Sequence, residues 1–426
     1  MAASFTNLRR VDSRTIAFTL ENITVTYANA LRRLMTIGVE TVAFNADIDH
    51  AGRTGDVVIE ANDTPMTNEM LAHRISMIPI HVRDPQRFNP EEYEFRLNVV
   101  NDSDRSLDVV AGDFEVWRKT DGSDEPVRVN TSEFFPANPK TGDTCLIAVL
   151  KSKSFGQVKG ERITLKAKAS IGTGRRHAAY IPTSQAAYAY TPDTDPERRK
   201  AVFEAWLSSS KKQSLAALEA DDAKRAALER EFNTMQVARC YLKNEKDEPY
   251  SFDFTVESAG VLDPVYIVRR ACEIAEAMCA RYANLDTGDL PDDVTIQPAN
   301  AEMFGFDFDF RGHDHTLRIM LSTFLVENHI EGDAEPKIAY ASGDVYHPLR
   351  DMTMLRIGTD DGQEATARQA LAASARGCAE LYRSLRARWQ EATGVGSAGA
   401  GAGPRRRPVV VPAGGASAKI TVNKTA

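Results

Sequence analysis

Acidic and imidazole side chains concentrate around a glycine at position 312, directly after a hydrophobic run. Asp309, His313, Asp314 and His315 are residue types that can ligate a divalent metal and activate a water molecule. On that hypothesis the chain would be an independent metal-dependent hydrolase. Their spacing, however, crosses the predicted end of a strand and a glycine turn, so the side chains should point in several directions. We therefore favour a helix cap for Asp314 and a buried hydrogen bond for His315.

Three further features could take part in chemistry or binding. His73 has no nucleophile with a matching partner near it in sequence, so we expect it to pack or to form hydrogen bonds. The Gly172–Gly174 loop with Arg175 and Arg176 could contact a phosphate, but it lacks the full glycine-rich fingerprint. The arginines at 405–407 could form a nucleic-acid or nuclear-targeting patch, or simply make a tail soluble. We assign no catalytic residue, cofactor-binding residue or metal ligand.

The composition argues against several classes of function. The net charge of -8 lacks the basic footprint of a protein that grips nucleic acid by its phosphates. A stand-alone DNA-binding factor is therefore disfavoured. The start of the chain carries charged residues where a signal peptide needs an apolar run, so we expect neither secretion nor membrane insertion. The five cysteines are scattered, which favours a reducing compartment over a disulfide framework or a thiolate zinc site.

The N-terminal half alternates between strand and helix patterns. Residues 18–27 have the β-branched alternation of a strand, and a helical pattern follows at 28–37. Residues 46–168 are mostly β, with short apolar runs between Gly, Pro, Asn and Asp turns. One helix at 66–77 interrupts this region, with Thr64 as its expected cap and a proline in its first position.

The C-terminal half contains longer helices. An insertion at 195–235 is rich in Ala, Glu, Lys and Arg and should form one or two exposed helices. Asp263 is the expected cap of a helix from Pro264, whose apolar residues recur every three or four positions up to Tyr282. Residues 286–300 have the composition of a linker between domains.

Beyond that linker the sequence predicts a second unit. A strand at 304–310, a helix at 315–328, a strand at 352–358 and a long helix at 363–392 make up this unit. The domains that we predict are 1–47 with 166–285 (including the helical insertion), an inserted β domain at 48–165, the linker at 286–300, the second unit at 301–393, and a disordered tail at 394–426.

One arrangement occurs twice in the chain. A strand leads into a short helix at 29–35 and again at 314–321. Each of these two segments is followed later in the chain by a long amphipathic helix. Each half should therefore present an apolar face that its own small core cannot cover, and the two halves should bury these faces against each other. The predicted fold class is α+β, with two sheet-and-helix units forming an intrachain pseudo-dimer. The expected interface residues are Leu31, Leu34, Val268, Cys272, Ala275, Cys279, Leu317, Leu321, Leu371, Cys378 and Leu385.

Several motifs of the first unit resemble a known family. They are NALRR at 29–33, NDTPM at 62–66, EMLAHRISMIPI at 69–80, GTGRRHA at 172–178 and FDFTVESAG at 252–260. This part of the chain is similar to the alpha-like polypeptides of RNA polymerases: the bacterial alpha amino-terminal domain, its archaeal D-type counterpart and the third-largest subunit of eukaryotic RNA polymerase II.

From Phe308 onward the chain instead resembles the small partner of that polypeptide. DHTL at 314–317, YHPL at 346–349 and LRIGT at 355–359 are similar to the archaeal L-type partner and the eleventh subunit of polymerase II. Two departures matter. Arg318-Ile319 stands where the small partner usually has Gly-Asn, and the region that often carries a four-cysteine zinc loop has only Cys145. We therefore expect neither zinc nor an iron–sulfur cluster, and no cofactor.

The resemblance implies a non-catalytic assembly subunit of DNA-directed RNA polymerase that joins two partners in one chain. Such fusions occur in large nucleocytoplasmic DNA viruses, which implies a viral origin and a location in host cytoplasm or nucleus; packaging in a virion stays open. The implied partners are the largest, second-largest and small polymerase subunits, with DNA reached only through the complex, no membrane and no homodimer. By resemblance, the residues that would engage the second-largest subunit are Asn29, Arg32, Arg33, Gly172, Gly174 and His177.

The Arg32-Arg33 pair also has a simpler interpretation. On a helix whose Leu31 and Leu34 face inward, at least one guanidinium should remain free, and an ordinary solvated face would explain it. Arginine is nevertheless well suited to fork-like pairing with carboxylates across an interface. We predict that replacing whichever arginine lies on the outer face, Arg33 or else Arg32, lowers co-purification with the second-largest subunit and leaves the fold intact.

Overall fold

A computed structural model describes residues 3–47, 55–119, 125–153, 156, 159–218, 222–299, 304–347 and 349–394. Within these ranges the chain forms seven α-helices and seventeen β-strands. The helices are α1 Val25–Ile37, α2 Asn68–Ser76, α3 Pro196–Trp206, α4 Asp222–Glu231, α5 Pro264–Ala280, α6 His315–Leu325 and α7 Glu364–Thr393. The strands are β1 Ser4–Arg10, β2 Thr15–Glu21, β3 Glu40–Ala43, β4 Val57–Asn62, β5 Tyr93–Asn101, β6 Leu107–Val110, β7 Glu115–Arg118, β8 Val127–Val129, β9 Leu146–Leu150, β10 Glu161–Ala167, β11 Ser170–Thr173, β12 Thr183–Tyr190, β13 Ser251–Ser258, β14 Val294–Pro298, β15 Gly305–Arg311, β16 Tyr340–Asp344 and β17 Met352–Gly358.

Two four-stranded antiparallel sheets share one topology. The first has the order β1-β2-β13-β12, and the second has the order β14-β15-β17-β16. In each, a hairpin supplies one edge strand and one central strand, and a helix follows it: α1 in the first case and α6 in the second. A second pair of strands then completes the sheet, and a long helix follows, α5 or α7. The repeat predicted from two short segments therefore extends over a whole unit of four strands and two helices.

The strand β14 lies inside the range that the sequence predicted as a linker. It pairs antiparallel with β15 over its full length, from Val294 opposite Phe310 to Pro298 opposite Phe306. It occupies the same position in its sheet as β1 does in the first sheet. Only the part of 286–300 that precedes this strand connects the two units without belonging to a sheet.

The four helices of the two units pack against one another in equivalent pairs. Helix α5 packs on α7, and α1 packs on α6. The α1–α6 pair runs antiparallel: Thr26 lies beside Thr323 near one end of the pair, and Arg33 reaches Asp314 at the other. One continuous hydrophobic cluster includes residues from both sheets and all four helices, and it contains all eleven residues predicted for the interface.

Helix α7 reaches into the first sheet through its C-terminal part. The Trp389 ring is fully buried and lies 5.0 Å from the Phe5 ring and 4.9 Å from the Phe18 ring, centroid to centroid. Its Nε1 donates to the Val265 carbonyl at 3.0 Å, at the start of α5. Tyr382 likewise donates its hydroxyl to the Tyr27 carbonyl at 3.0 Å.

A second hydrophobic cluster belongs to residues 42–169. It is formed by the five-stranded sheet β4-β10-β5-β7-β8, the pair β6-β9 and α2. Aromatic rings fill its centre, with Phe44 and Phe95 5.1 Å apart and Phe114 and Phe135 5.3 Å apart. The strand β10 extends to Ala167, so the predicted boundary at 165/166 falls inside this strand.

The helical insertion has a small hydrophobic cluster of its own. Phe203, Trp206 and Leu207 from the end of α3 pack against Leu218 and Phe232. The insertion is thus a local folded unit between β12 and β13, in which these five apolar side chains are buried against each other. This was not evident from its charged composition.

Most predicted elements are confirmed, and the mixed α+β class with antiparallel sheets is correct. The predicted cap of α2 is wrong: Thr67, not Thr64, accepts from the Met70 amide, and the helix begins at Asn68. The predicted tail from 395 onward, with its arginines at 405–407, lies outside the described residues. In the part of the chain that is described, no helix combines the length and the apolar character that a bilayer crossing requires.

Candidate protein-interaction surface

The two adjacent arginines of α1 have different surroundings. Arg33 points across to α6: its Nη2 lies 2.8 Å from an Asp314 carboxylate oxygen, and its Nε donates to the Thr316 hydroxyl at 2.8 Å. The Arg33 side chain is about one third exposed. Arg33 is therefore an internal bridge between the two units and not a free outward-facing group.

Arg32 lies next to the strand β12 instead. Its Nε donates to the Asn29 side-chain oxygen at 2.9 Å, one turn earlier. Arg32 also lines an open groove together with residues 186–190 of the edge strand β12. Among the described residues, Arg33 is bound to the second unit and Arg32 has no hydrogen bond or ion pair to it, so our docking prediction, which stays a prediction, applies to Arg32.

The glycine loop that follows β11 packs against the end of α1. The Arg175 amide donates to the Ile37 carbonyl at 3.2 Å. A Cβ on Gly172 would lie 2.7 Å from the Tyr180 ring, and one on Gly174 would lie 2.7 Å from the Thr36 carbonyl oxygen. Glycine is required there by close packing, because no side chain fits. The loop thus packs on the last turn of α1, the helix that also carries Asn29 and Arg32, and we call Asn29, Arg32 and residues 172–177 the α1–loop surface.

His177 and His73 connect this loop to α2. The His177 Nδ1 accepts from the Ala179 amide at 3.1 Å and so caps a short 3-10 helix. The rings of His73 and His177 meet edge to face, 6.2 Å apart. His177 is thus part of a local cap, and the exposed His73 contacts its ring.

Arg175, a candidate phosphate ligand by sequence, has protein partners instead. Its Nη1 donates to the Gly312 carbonyl at 2.6 Å, and its Nη2 pairs with the Asp351 carboxylate. Both partners belong to the second unit. The α1–loop surface therefore lies directly beside the start of α6, where both Arg175 and Arg33 bind the second unit. The partners could not be found from the sequence because they lie more than a hundred positions away.

The candidate metal cluster is not assembled. Asp314 accepts from the Thr316 amide at 2.8 Å and caps α6, as predicted. His313 Nε2 lies 2.8 Å from the Tyr282 hydroxyl instead, and Asp309 is buried within β15 beside Gln297. The prediction of a buried hydrogen bond for His315 is wrong, because that side chain is exposed and contacts Arg318.

The ionisation of these groups follows from their contacts. Burial raises the pKa of Asp314, but the hydrogen bonds from Thr316 and the Arg33 charge outweigh it and bring the pKa below its ordinary value. Burial lowers the pKa of His313, so this ring is neutral at physiological pH. Burial raises the pKa of Asp309. These groups are thus tuned by separate neighbours and do not share a ligand.

The thiols of Cys272 and Cys378 are held in the protonated form at neutral pH. Burial raises the pKa of Cys272 to about 12, and the Cys279 thiol together with burial raises that of Cys378. A protonated thiol is neither a nucleophile nor a metal ligand. Across the described ranges, no three His, Cys, Asp or Glu side chains come together in a way that could hold a metal ion.

Comparison with known proteins shows what this framework is. The model of the RNA polymerase Rpb3/Rpb11 dimerisation domain matches residues 17–279, which is well over half of the chain. The chain belongs to this family. The DNA-directed RNA polymerase II subunit rpb3 of Dictyostelium discoideum is 25% identical over 295 residues, 62% of this chain and 88% of that protein.

Two other relatives come from different branches of life. The DNA-directed RNA polymerase subunit Rpo3 of Methanosphaera stadtmanae is 25% identical over 279 residues, 63% of this chain and 93% of that protein. The RPAC1 subunit of human DNA-directed RNA polymerases I and III is 24% identical over 307 residues, 64% of this chain and 81% of that protein. Each is a polymerase subunit by name, which makes this chain an Rpb3/Rpb11-type, alpha-like subunit.

The Rpb3/Rpb11 match covers β2 to α5 and ends at residue 279. It includes the α1–loop surface, the aromatic β region and the helical insertion. The sheet β14-β15-β17-β16 and helices α6 and α7 lie beyond it. The resemblance of that part to a small partner subunit therefore stays a prediction, although its strand order equals that of the first sheet.

Proposed function

We propose that this chain is a non-catalytic assembly subunit of a DNA-directed RNA polymerase, in which two alpha-like partners are joined in one polypeptide. The observation that carries the proposal is the single hydrophobic core shared by two sheets of the same strand order. Equivalent helices meet each other, α1 with α6 and α5 with α7. That is the contact pattern of a two-fold symmetric dimer, in which each surface meets its own equivalent.

The pseudo-dimer would form without a second chain. A short connection gives the two units an effective concentration on the order of millimolar, so their association does not depend on the supply of a partner. The chain would then be ready to receive the large subunits as soon as it folds. Because the apolar faces of the two units are already buried against each other, we expect no homodimer.

The α1–loop surface is the proposed docking site for the second-largest polymerase subunit. Among the residues that the structure describes, Arg32 is the charged residue of that surface whose guanidinium is hydrogen-bonded to Asn29 alone, within its own helix. Its fork of donors suits a carboxylate of the partner. The largest subunit and small subunits would bind elsewhere on the same framework, and DNA would be reached only through the complex.

The joining of both partners in one chain favours a polymerase of a large nucleocytoplasmic DNA virus. Under this proposal the protein acts inside the host cell, in cytoplasm or nucleus, and packaging in the virion would follow if transcription begins before new polymerase is made. No cofactor is needed for an assembly role, because nucleotide chemistry resides in the large subunits. Affinity purification of the tagged chain from its own source, with mass spectrometry of the partners, tests this proposal.

The docking site is tested by co-expression with the second-largest subunit. Arg32→Glu should reduce the co-purified amount by about ten-fold or more, since it places like charges in the interface. Arg225→Glu is the matched control, because Arg225 is an exposed helical arginine that pairs with Glu229, one turn away. Equal recovery of the partner with both variants would remove Arg32 from the proposed site.

A further inference from the structure

A surface cavity lies where the helical insertion rejoins the first sheet. It measures about 330 Å³, the lower end of the range for small-molecule sites. Four cationic side chains and two carboxylates line it: Arg198, Arg199, Arg239, Lys243, Asp193 and Asp247. The polymerase role proposed above does not use this cavity.

Two of the four cations already have carboxylate partners. Arg198 Nε lies 2.5 Å from Asp193 and its Nη1 lies 3.6 Å from Asp195, while Lys243 lies 2.7 Å from Asp247. Asp193 is 8% exposed, so the pair with Arg198 is part of the wall of the cavity. These ion pairs hold the site together but leave little charge for a ligand.

Arg199 and Arg239 are different. Within the described residues, neither guanidinium has a hydrogen bond or an ion pair. The Arg199 charge nevertheless acts on two groups that line the cavity. The pKa of Asp193 is lowered mainly by its hydrogen bond with Arg198, and the Arg199 charge lowers it further. Burial raises the pKa of Cys240, and the Arg199 charge opposes that effect. An unpaired surface arginine is ordinary, but two that line one cavity provide several unused donors in a confined space.

The balance of charge indicates the ligand. The lining residues carry four positive and two negative charges, an excess of two. A phosphate monoester carries close to two negative charges at neutral pH and three strong acceptor oxygens, whereas a carboxylate carries one charge. Val202, Leu242 and Tyr250 also line the cavity and offer apolar surface to the organic part of such a molecule. We propose that this cavity binds a phosphate monoester through Arg199 and Arg239.

Calorimetric titration of the full chain tests this site with two sources of the same chemistry. The probes are adenosine 5′-monophosphate and a phosphoserine peptide, each against its unphosphorylated counterpart, at low and at raised salt. We expect the phosphorylated member of at least one pair to bind at least about ten-fold more tightly and to weaken with salt. Binding of the nucleotide alone identifies a free small molecule, binding of the peptide alone identifies a modified partner, and binding of both identifies the phosphoryl group as the dominant feature.

Variants tie the binding to the two arginines. Arg199→Ala and Arg239→Ala should each weaken the phosphorylated probe by about ten-fold, whereas Arg225→Ala, in the same insertion but outside the cavity, should not. Thermal unfolding of each variant shows whether the insertion is still folded. The proposal is overturned if no phosphorylated probe binds, if the unphosphorylated counterparts bind equally, or if binding survives both substitutions. None of these results bears on the polymerase role.

Discussion

Arg32 and Arg33 show that the role of a side chain depends on the residues that face it in the folded protein. They are adjacent, identical in type and on one helix, so the helical period alone cannot tell which of them is free. The answer comes from Asp314 and Thr316, which lie about 280 positions later in the sequence. The cap at Asp314 was predictable because a cap is a local motif. Its second role as the partner of Arg33 was not, since it depends on tertiary structure.

Arg33→Ala should therefore affect stability and not docking. The substitution removes a part-exposed ion pair and a hydrogen bond to Thr316, while the cap of α6 remains intact. We expect the free energy of unfolding to fall by about 1 kcal/mol in urea titrations at neutral pH. Arg32→Ala is the comparison, with an expected change below about 0.5 kcal/mol.

The same pair predicts a dependence on pH. The folded pKa of Asp314 lies below its ordinary value of 3.8, so its stabilising contribution is present above that value and is lost as the pH falls through the lowered pKa. The difference between parent and Arg33→Ala should shrink in strong acid. A difference that stays constant from neutral pH into strong acid would contradict the role given to the ion pair.

The pKa of Glu327 is shifted in the opposite direction from that of Asp314. This half-buried carboxyl follows α6 and lies near Thr24 and Tyr27 of the first unit, with Lys246 and Glu248 also facing it. Burial, and after it the Glu248 charge, raise its pKa above 4.5 despite the opposing contacts. Folding therefore favours the protonated form, and this group lowers stability as the pH rises from about 4.5 through the raised pKa.

Glu327→Gln should remove that loss. At neutral pH we expect the variant to be more stable than the parent by up to about 1 kcal/mol, a modest figure because partial exposure screens the charge. The gain should vanish below pH of about 4, where both forms are neutral. Urea titrations of both proteins across this range measure it, and a variant less stable than the parent at neutral pH would show that the carboxylate is instead well paired.

At the scale of elements, the helix with strong apolar periodicity could be predicted from the sequence, but the short edge strand β14 could not. The apolar stripe of α5 and the start signal Asp263-Pro264 placed that helix correctly, because both are local and redundant. The strand β14 was missed since it has only two apolar residues, Val294 and Ile296, among prolines, glycines and aspartates. It is held by pairing with β15, a tertiary effect that outweighs a weak local preference.

Trp389 is the residue of α7 that joins this helix most closely to the first sheet. It is fully buried, packs on two rings of the first sheet and donates to the Val265 carbonyl. Trp389→Ala should lower the free energy of unfolding by about 3–5 kcal/mol, because it leaves a large cavity and an unpaired carbonyl. Glu391→Ala, on the exposed face two residues later, should change it by less than about 0.5 kcal/mol. A small effect of the tryptophan substitution would mean that α7 does not depend on the first sheet.

For the molecule as a whole, the sequence predicted that two halves cover each other but not how. The eleven expected interface residues all lie in the shared core, since apolar residues at helical spacing must be buried somewhere. The pairing of α1 with α6 and of α5 with α7 depends on geometry across the chain, which no local pattern contains. The same holds for Arg175, whose partners Gly312 and Asp351 were not foreseeable.

This arrangement makes a prediction about the connection between the halves. A protease site inserted between Gly288 and Asp289 would cut before β14, so that both sheets keep all their strands. After cleavage of the folded protein, we expect the fragments to elute together from a sizing column at concentrations on the order of micromolar. The shared core should hold them, with the connection contributing only effective concentration.

The control weakens the contact between the halves and leaves the cut unchanged. Tyr382 is completely buried, lies against the Tyr27 ring at 6.5 Å and donates to the Tyr27 carbonyl, so Tyr382→Asp places an unpaired charge at the centre of the contact. The cleaved variant should separate into two species, while the uncut variant stays together because the chain connects it. If the cleaved parent also separates at the same concentration, the connection and not the core joins the halves, and the pseudo-dimer on which the assembly role rests is ruled out.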